Sequence, residues 1–174
     1  KLIQVIAASG QTEENTTTMT YDSLSEKRSM TDPDMGCWTY AYDKAGNLIS
    51  QTDAKSQTIA FTYDAINRLT QKVYSAYTVT NTYDDPAIAY AKGMLTNTLD
   101  PSGGETKESR VLALDVMQRI TQSRKTIGAN SLTIARAYDT AGRTITMTYP
   151  SGSYTYAYDA AGNVISVMDN TSGT

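Results

Sequence analysis

The sequence predicts an all-β chain, an antiparallel meander of repeated β-hairpins. Three observations predict it. A short Tyr-Asp motif recurs at about 20 residues, the spacing of a supersecondary unit stacked on its neighbours. Before each copy, polar and aromatic or aliphatic residues alternate, as on a half-buried strand. A second set of turn signals stands seven residues beyond the first, so turns bound the strands on both sides.

The motif is Tyr-Asp, two residues, a turn residue, a polar residue and a closing residue. It reads YDKAGNL at 42–48, YDAINRL at 63–69, YDTAGRT at 138–144 and YDAAGNV at 158–164. Diverged copies stand at 21–27 (YDSLSEK) and 114–120 (LDVMQRI). Another opens at Tyr83-Asp84 and closes only at Gly93-Met94-Leu95, across an insertion. Successive first positions lie 21, 21, 20, 31, 24 and 20 residues apart.

Each element follows from local chemistry. Residues 1–7 read as the outgoing arm of one more hairpin. Trp38, Tyr40 and Tyr42 alternate with Thr39, Ala41 and Asp43; Ile59, Phe61 and Tyr63 repeat the pattern, as do Tyr154, Tyr156 and Tyr158. Tyr and Thr in such alternation favour strands. The Asp then opens the turn, its carboxylate able to accept a backbone N–H two residues on. Gly46, Gly142 and Gly162 take the left-handed position that ends a type I turn with a bulge. Asn67 tolerates that position, whereas Ser25 and Gln118 fit it poorly and predict strained or altered turns. The second turns begin at Asp32, Asp53, Asp100, Tyr149 and Asp169, where DPDMG, DAKSQ, DPSGG, YPSG and DNTSG follow. Strands of about five to seven residues between these turns give about fourteen in all. Residues 110–122 are the best helical candidate, but they align with a repeat and read as a hairpin. Insertions near 85–92 and 104–111 predict a longer rim loop, with Pro86 ending the strand register, and a longer hairpin.

These residues resemble the YD repeats of the Rhs and YD-repeat family, whose pattern is aromatic-x-Tyr-Asp-x-x-Gly-Arg/Asn-Leu at about 20 residues. The resemblance covers about residues 16–167. It rests on six registered copies and a registered second turn, with Tyr21, Asp22, Tyr83, Asp84, Asp115, Tyr138, Asp139, Tyr158 and Asp159 among the defining positions. The family includes bacterial Rhs toxins, the cocoon-forming subunits of insecticidal toxin complexes and the animal teneurins. It implies a long sheet that spirals into a hollow shell, which in bacterial members encloses a toxic segment. Residues 1–174 are then a single array, a fragment of a longer shell. The partners implied are the rest of that array and an enclosed toxin segment, in a secreted or cell-surface protein of bacterial origin. The closing segment and aspartyl self-cleavage site of the bacterial core have no counterpart here, and the DPSG at 100–103 reads as an inter-hairpin turn.

Composition narrows the chemistry. Charged residues make up 19% and hydrophobic ones 40% of the 174 residues, with a net charge of −3. No basic face suggests nucleic acid; Arg119, Arg124 and Lys125 read as a solvated cluster. No apolar run reaches the length of a membrane-spanning helix. The chain has no His, so Ser-His-Asp and Cys-His catalysis is excluded, and no phosphate-cradling glycine motif occurs. Cys37 is the single cysteine and reads as a small buried or half-buried strand residue. No cofactor, metal site or catalytic residue is expected.

Two series of residues invite a ligand. The turn aspartates could line up as a calcium row, but each also caps its own turn. The motif tyrosines predict a cross-strand ladder, at about 0.2–1 kcal/mol per aromatic pair. Trp38, Tyr40 and Tyr42, and Tyr154, Tyr156 and Tyr158, could instead stack on a glycan. The sequons at 15–17 and 170–172 matter only in a eukaryotic source. The functional expectation is a non-catalytic segment of a shell that encapsulates or displays a toxin polypeptide. The alternative is an extracellular adhesion or carbohydrate-binding module using the aromatic strips; an enzyme has no constellation in its favour.

Overall fold

A computed structural model of the chain describes residues 4–7 and 15–171. Two units divide it, residues 1–79 and 80–174. The first holds β1 (Gln4–Ala7), β2 (Asn15–Tyr21), β3 (Lys27–Asp32), β4 (Gly36–Tyr42), β5 (Leu48–Thr52), β6 (Thr58–Tyr63) and β7 (Leu69–Val73). The boundary falls within β8 (Thr78–Tyr83). The second continues with β9 (Leu95–Asp100), β10 (Lys107–Leu114), β11 (Ile120–Ile127), β12 (Asn130–Tyr138), β13 (Thr144–Tyr149), β14 (Gly152–Tyr158) and β15 (Val164–Asp169). Strands pair in sequence order throughout and the registered pairs are antiparallel, so the predicted all-β meander is the observed fold. Residues 110–122 form the end of β10, a turn and the start of β11.

The Tyr-Asp motif makes the same turn in six of its seven copies; the copy opening at Tyr83-Asp84 closes across the inserted loop. In the copy at 42–48, Asp43 N–H donates to the Asn47 carbonyl at 3.0 Å and Gly46 N–H to the Asp43 carbonyl at 3.2 Å. The register slips by one residue between Ala41 and Tyr42, the bulge that a left-handed third residue produces. Gly46, Gly142 and Gly162 lie at φ +82°, +86° and +89°. Asn67, Ser25 and Gln118 take the same conformation at φ +63°, +72° and +60°. The turns at Ser25 and Gln118 are therefore unaltered in form, and their cost is the left-handed backbone alone. Ser25→Gly should raise stability by up to about 1 kcal/mol, because glycine avoids the Cβ penalty of that region but loses more entropy on folding; thermal unfolding checks it. Gln118→Gly should not gain, because the Gln118 side-chain amide donates to the Tyr90 and Lys92 carbonyls at 2.9 and 2.8 Å.

The second turns are more varied than the sequence suggests. At Asp53 the chain repeats the first turn, with Ser56 at φ +61° and Asp53 N–H bonded to the Gln57 carbonyl at 3.0 Å. Asp32 accepts the N–H groups of Asp34 and Met35, each at 2.9 Å, and Gly36 turns back at φ +71°. A Cβ on Gly36 would stand 2.5 Å from Ala54 Cβ. Gly36→Ala should therefore cost at least the 1–2 kcal/mol or so of a left-handed L-residue, read as a lower urea midpoint. Residues 74–77 make a tight turn, Tyr74 N–H to the Tyr77 carbonyl at 2.9 Å, although YSAY carries no turn signal.

The two faces of the first unit differ. Met30, Trp38, Tyr40, Ile59 and Phe61 are half-buried on one, while Thr31, Cys37, Thr39, Thr58 and Thr62 lie exposed on the other. Cys37 is thus not buried; it faces water beside Thr31 Oγ1. Hydroxyls pair across strands on that face, as between Thr52 and Thr58 at 2.8 Å and Thr62 and Thr70 at 2.9 Å. Among the described residues, full burial occurs only in the second unit. There Ile88, Ala91, Val111 and Leu114 form a cluster with Met94 and Ile120 against it. The insertion near 85–92 is a loop, as expected, but it supplies two of the four buried apolar residues rather than a solvated excursion.

Candidate functional site

Six of the motif aspartates, all but Asp84, are clasps. Asp139 Oδ1 accepts Ala141 N–H and Arg143 N–H at 2.9 and 2.8 Å, and its Oδ2 accepts Arg143 Nε at 2.7 Å. Asp115 does the same with Met117 and Arg119, and Asp64 with Ile66 and Arg68. Asn47 and Asn163 use their side-chain amides on Asp43 and Asp159. The sequence reading anticipates the bond two residues on, but not the polar slot that grips the second carboxylate oxygen. Its signal was present, since that slot is Asn or Arg in five copies. In the copy at 21–27 the slot holds Glu26, and Arg28 takes over on Asp22 Oδ2. Burial, then the neighbouring Asp22, pushes the Glu26 carboxyl up. The Arg143 backbone N–H and then its guanidinium hold Asp139 below the ordinary carboxylate range; the Asn47 and Asn163 amides do this first for Asp43 and Asp159.

The polar slot also joins one hairpin to the next. Arg119 reaches on to donate to the Asp139 carbonyl at 3.1 Å and lies 4.7 Å over the Tyr138 ring. Arg143 repeats this on the Asp159 carbonyl at 3.4 Å and on Tyr158 at 4.7 Å. The Tyr138 and Tyr158 hydroxyls reach back to the Ile120 and Thr144 carbonyls at 2.9 and 2.7 Å, as Tyr63 does to Leu48. Asn47 bridges to Asn67 Oδ1 at 2.9 Å. At Tyr138 and Tyr158 the rungs between hairpins are therefore cation on ring, about 0.5–1 kcal/mol each at exposed sites, where the sequence predicts ring on ring.

The aromatic strips are brought together as alternation predicts, but several rings are engaged. Lys27 Nζ stands 4.2 Å over Tyr40 and Arg28 5.5 Å over Tyr42. Tyr154 meets Tyr149 edge-on at 6.0 Å, and with Tyr156 and Ser151 they line a shallow cleft. Trp38 Nε1 donates to the Met35 carbonyl at 3.1 Å. No three Asp, Glu or Cys side chains among the described residues gather as a metal site. Ser172 of the second sequon and the Asn15 side chain of the first lie outside the description.

A family profile for the RHS repeat matches residues 42–79 and 138–174. Those two segments match the RHS repeat. No curated protein matches the sequence. Among solved structures, the chain is similar to the crystal structure of TcdB2-TccC3-Cdc42, with a TM-score of 0.60 at 14% identity over 98% of this chain and 11% of that one. It is similar to TcdB2-TccC3 at 0.60 and 14%, over 98% of this chain and 12% of that one. A Photorhabdus luminescens Tc holotoxin pore with a mutated TccC3 gives 0.57 and 13%, over 97% and 11%. At that identity the likeness concerns the fold, and the chain spans about 11% of the length of those chains. Among the described residues, no helix is long and apolar enough to cross a membrane.

Proposed function

We propose that this RHS-repeat chain is a non-catalytic wall segment, part of a longer single array, in a secreted shell that encloses or displays a toxin polypeptide. The observation that supports it best is the repeated joint between hairpins. Six motif turns are closed by their own aspartate, and Asn47, Arg119 and Arg143 at a fixed slot grip the following hairpin. Such an array extends by adding units and leaves no free edge between them. Its hydroxyl-lined face suits sequestration: a surface of Thr and Ser offers hydrogen bonds without apolar adhesion, so an unfolded passenger is held and not glued. The fold shared with chains of toxin complexes agrees with this reading. Electron microscopy of the native, untruncated protein tests it. A hollow sheet with density inside is expected; a solid or open β-structure with no enclosed volume removes the enclosure function.

A further inference from the structure

We propose that the first unit carries a binding site for neutral oligosaccharides in which Trp38 works with Tyr74, Tyr77 and Gln57 rather than with Tyr40 and Tyr42 of its own strand, independent of the shell reading. Three turns position it. The turn at 33–36 abuts that at 53–56, where Gly36 faces Ala54 without room for a Cβ. The turn at 74–77 stacks the rings of Tyr74 and Tyr77 at 4.5 Å and 19°. Between them lies a cleft of about 230 Å³ lined by Trp38, Tyr74, Tyr77, Gln51, Asp53 and Gln57. A second cleft of about 480 Å³ shares Trp38, Asp53 and Gln57 with it and continues toward Pro33 and Lys55. The indole thus lines both clefts.

Hydrogen-bonding capacity is left open there. Asp53 Oδ1 is occupied by the N–H groups of Lys55 and Gln57, while Oδ2 bonds to no described residue. The side-chain amides of Gln51 and Gln57 are likewise unengaged. Aromatic faces beside a carboxylate oxygen and two amides match a pyranose ring, which presents a C–H face to stack and vicinal hydroxyls to bond. One ring fits the smaller cleft, and the larger accommodates the next residues of a chain. The Asp53 carboxylate disfavours acidic sugars, which sets the class as neutral.

Trp38 is the single tryptophan, so intrinsic fluorescence reads the site directly. The full chain is titrated with cellotriose, maltotriose and tri-N-acetylchitotriose, with far-UV circular dichroism as the folding control. At least one is expected to give a saturable change, weakened at least tenfold by Gln57→Ala and by Tyr74→Ala, two variants that leave the Asp53 turn intact. No saturable change by any of the three on folded protein overturns the proposal. So does binding that both variants retain, or a response only to a proline-rich peptide, the other occupant an aromatic groove could take.

Discussion

Ile88→Ala is expected to lower stability of the second unit by about 2–4 kcal/mol, the range for truncating a buried aliphatic residue. Ile88 sits in an insertion that breaks the repeat, so the sequence pattern would place the variant among harmless loop changes. The structure places its side chain against Val111, Leu114 and Ala91, in the one fully buried cluster among the described residues. Two further bonds make the loop a fixed element. Asp84 N–H donates to the Met94 carbonyl at 3.1 Å, and Arg110 pairs with Asp85 at 3.3 Å. Urea unfolding followed by circular dichroism gives the free energy, and hydrogen exchange locates it. Faster exchange across residues 84–94 and the adjoining ends of β9 and β10 is the expected signature. A change under about 0.5 kcal/mol, typical of surface sites, would return the insertion to the status of a rim loop.

Asp139→Ala should destabilise more than Asp139→Asn, and both should act on two hairpins. Alanine removes the acceptor of two backbone N–H groups and the anchor of Arg143. Asparagine keeps an acceptor oxygen for the N–H groups and loses only the charge. Because Arg143 also lies on Tyr158 and the Asp159 carbonyl, releasing it should speed exchange in the hairpin that follows. Protection lost at 139–143 alone would show that the joint carries no coupling. The same chemistry sets the acid response. Asp22, Asp43, Asp64, Asp115, Asp139 and Asp159 all have carboxyls held below the ordinary 3.8. A group with a depressed folded value stabilises fully above its unfolded value, and that contribution is lost as pH falls through the folded one. Glu26, raised, works the other way. The urea midpoint should hold from pH 7 to about 5 and fall steeply below 4; a flat profile to pH 3 would contradict the clasp.

The sequence made the period, the turn chemistry and the strand order legible because each is local. Asp at the first turn position and Gly or Asn at the left-handed one act within five residues, and alternation assigns the faces. Less legible were features that depend on what stands beside a residue in space. The 74–77 turn carries no turn signal of its own, and at Ser56 the left-handed position is filled by neither Gly nor Asn. Ile88 looks like loop sequence until Val111 and Leu114 are folded against it. Arg119 reads as a solvated charge because its second partners lie about 20 residues away. For the same reason Trp38 was recognised with Tyr40 and Tyr42 on its own strand, and not with Tyr74, Tyr77 and Gln57 around its groove.

The joint between hairpins has a genetic consequence. The unit at 138–144 carries a plug, the Arg after its turn, which engages Tyr158 and the Asp159 carbonyl, and a socket, its own tyrosine ring and aspartyl carbonyl, which receive Arg119. A tandem duplication of one such unit creates a new plug facing a matching socket at both seams. Array length can therefore drift by whole hairpins without compensating substitutions, whereas a deletion that cuts between plug and socket leaves one charge and one ring unpartnered at the scar.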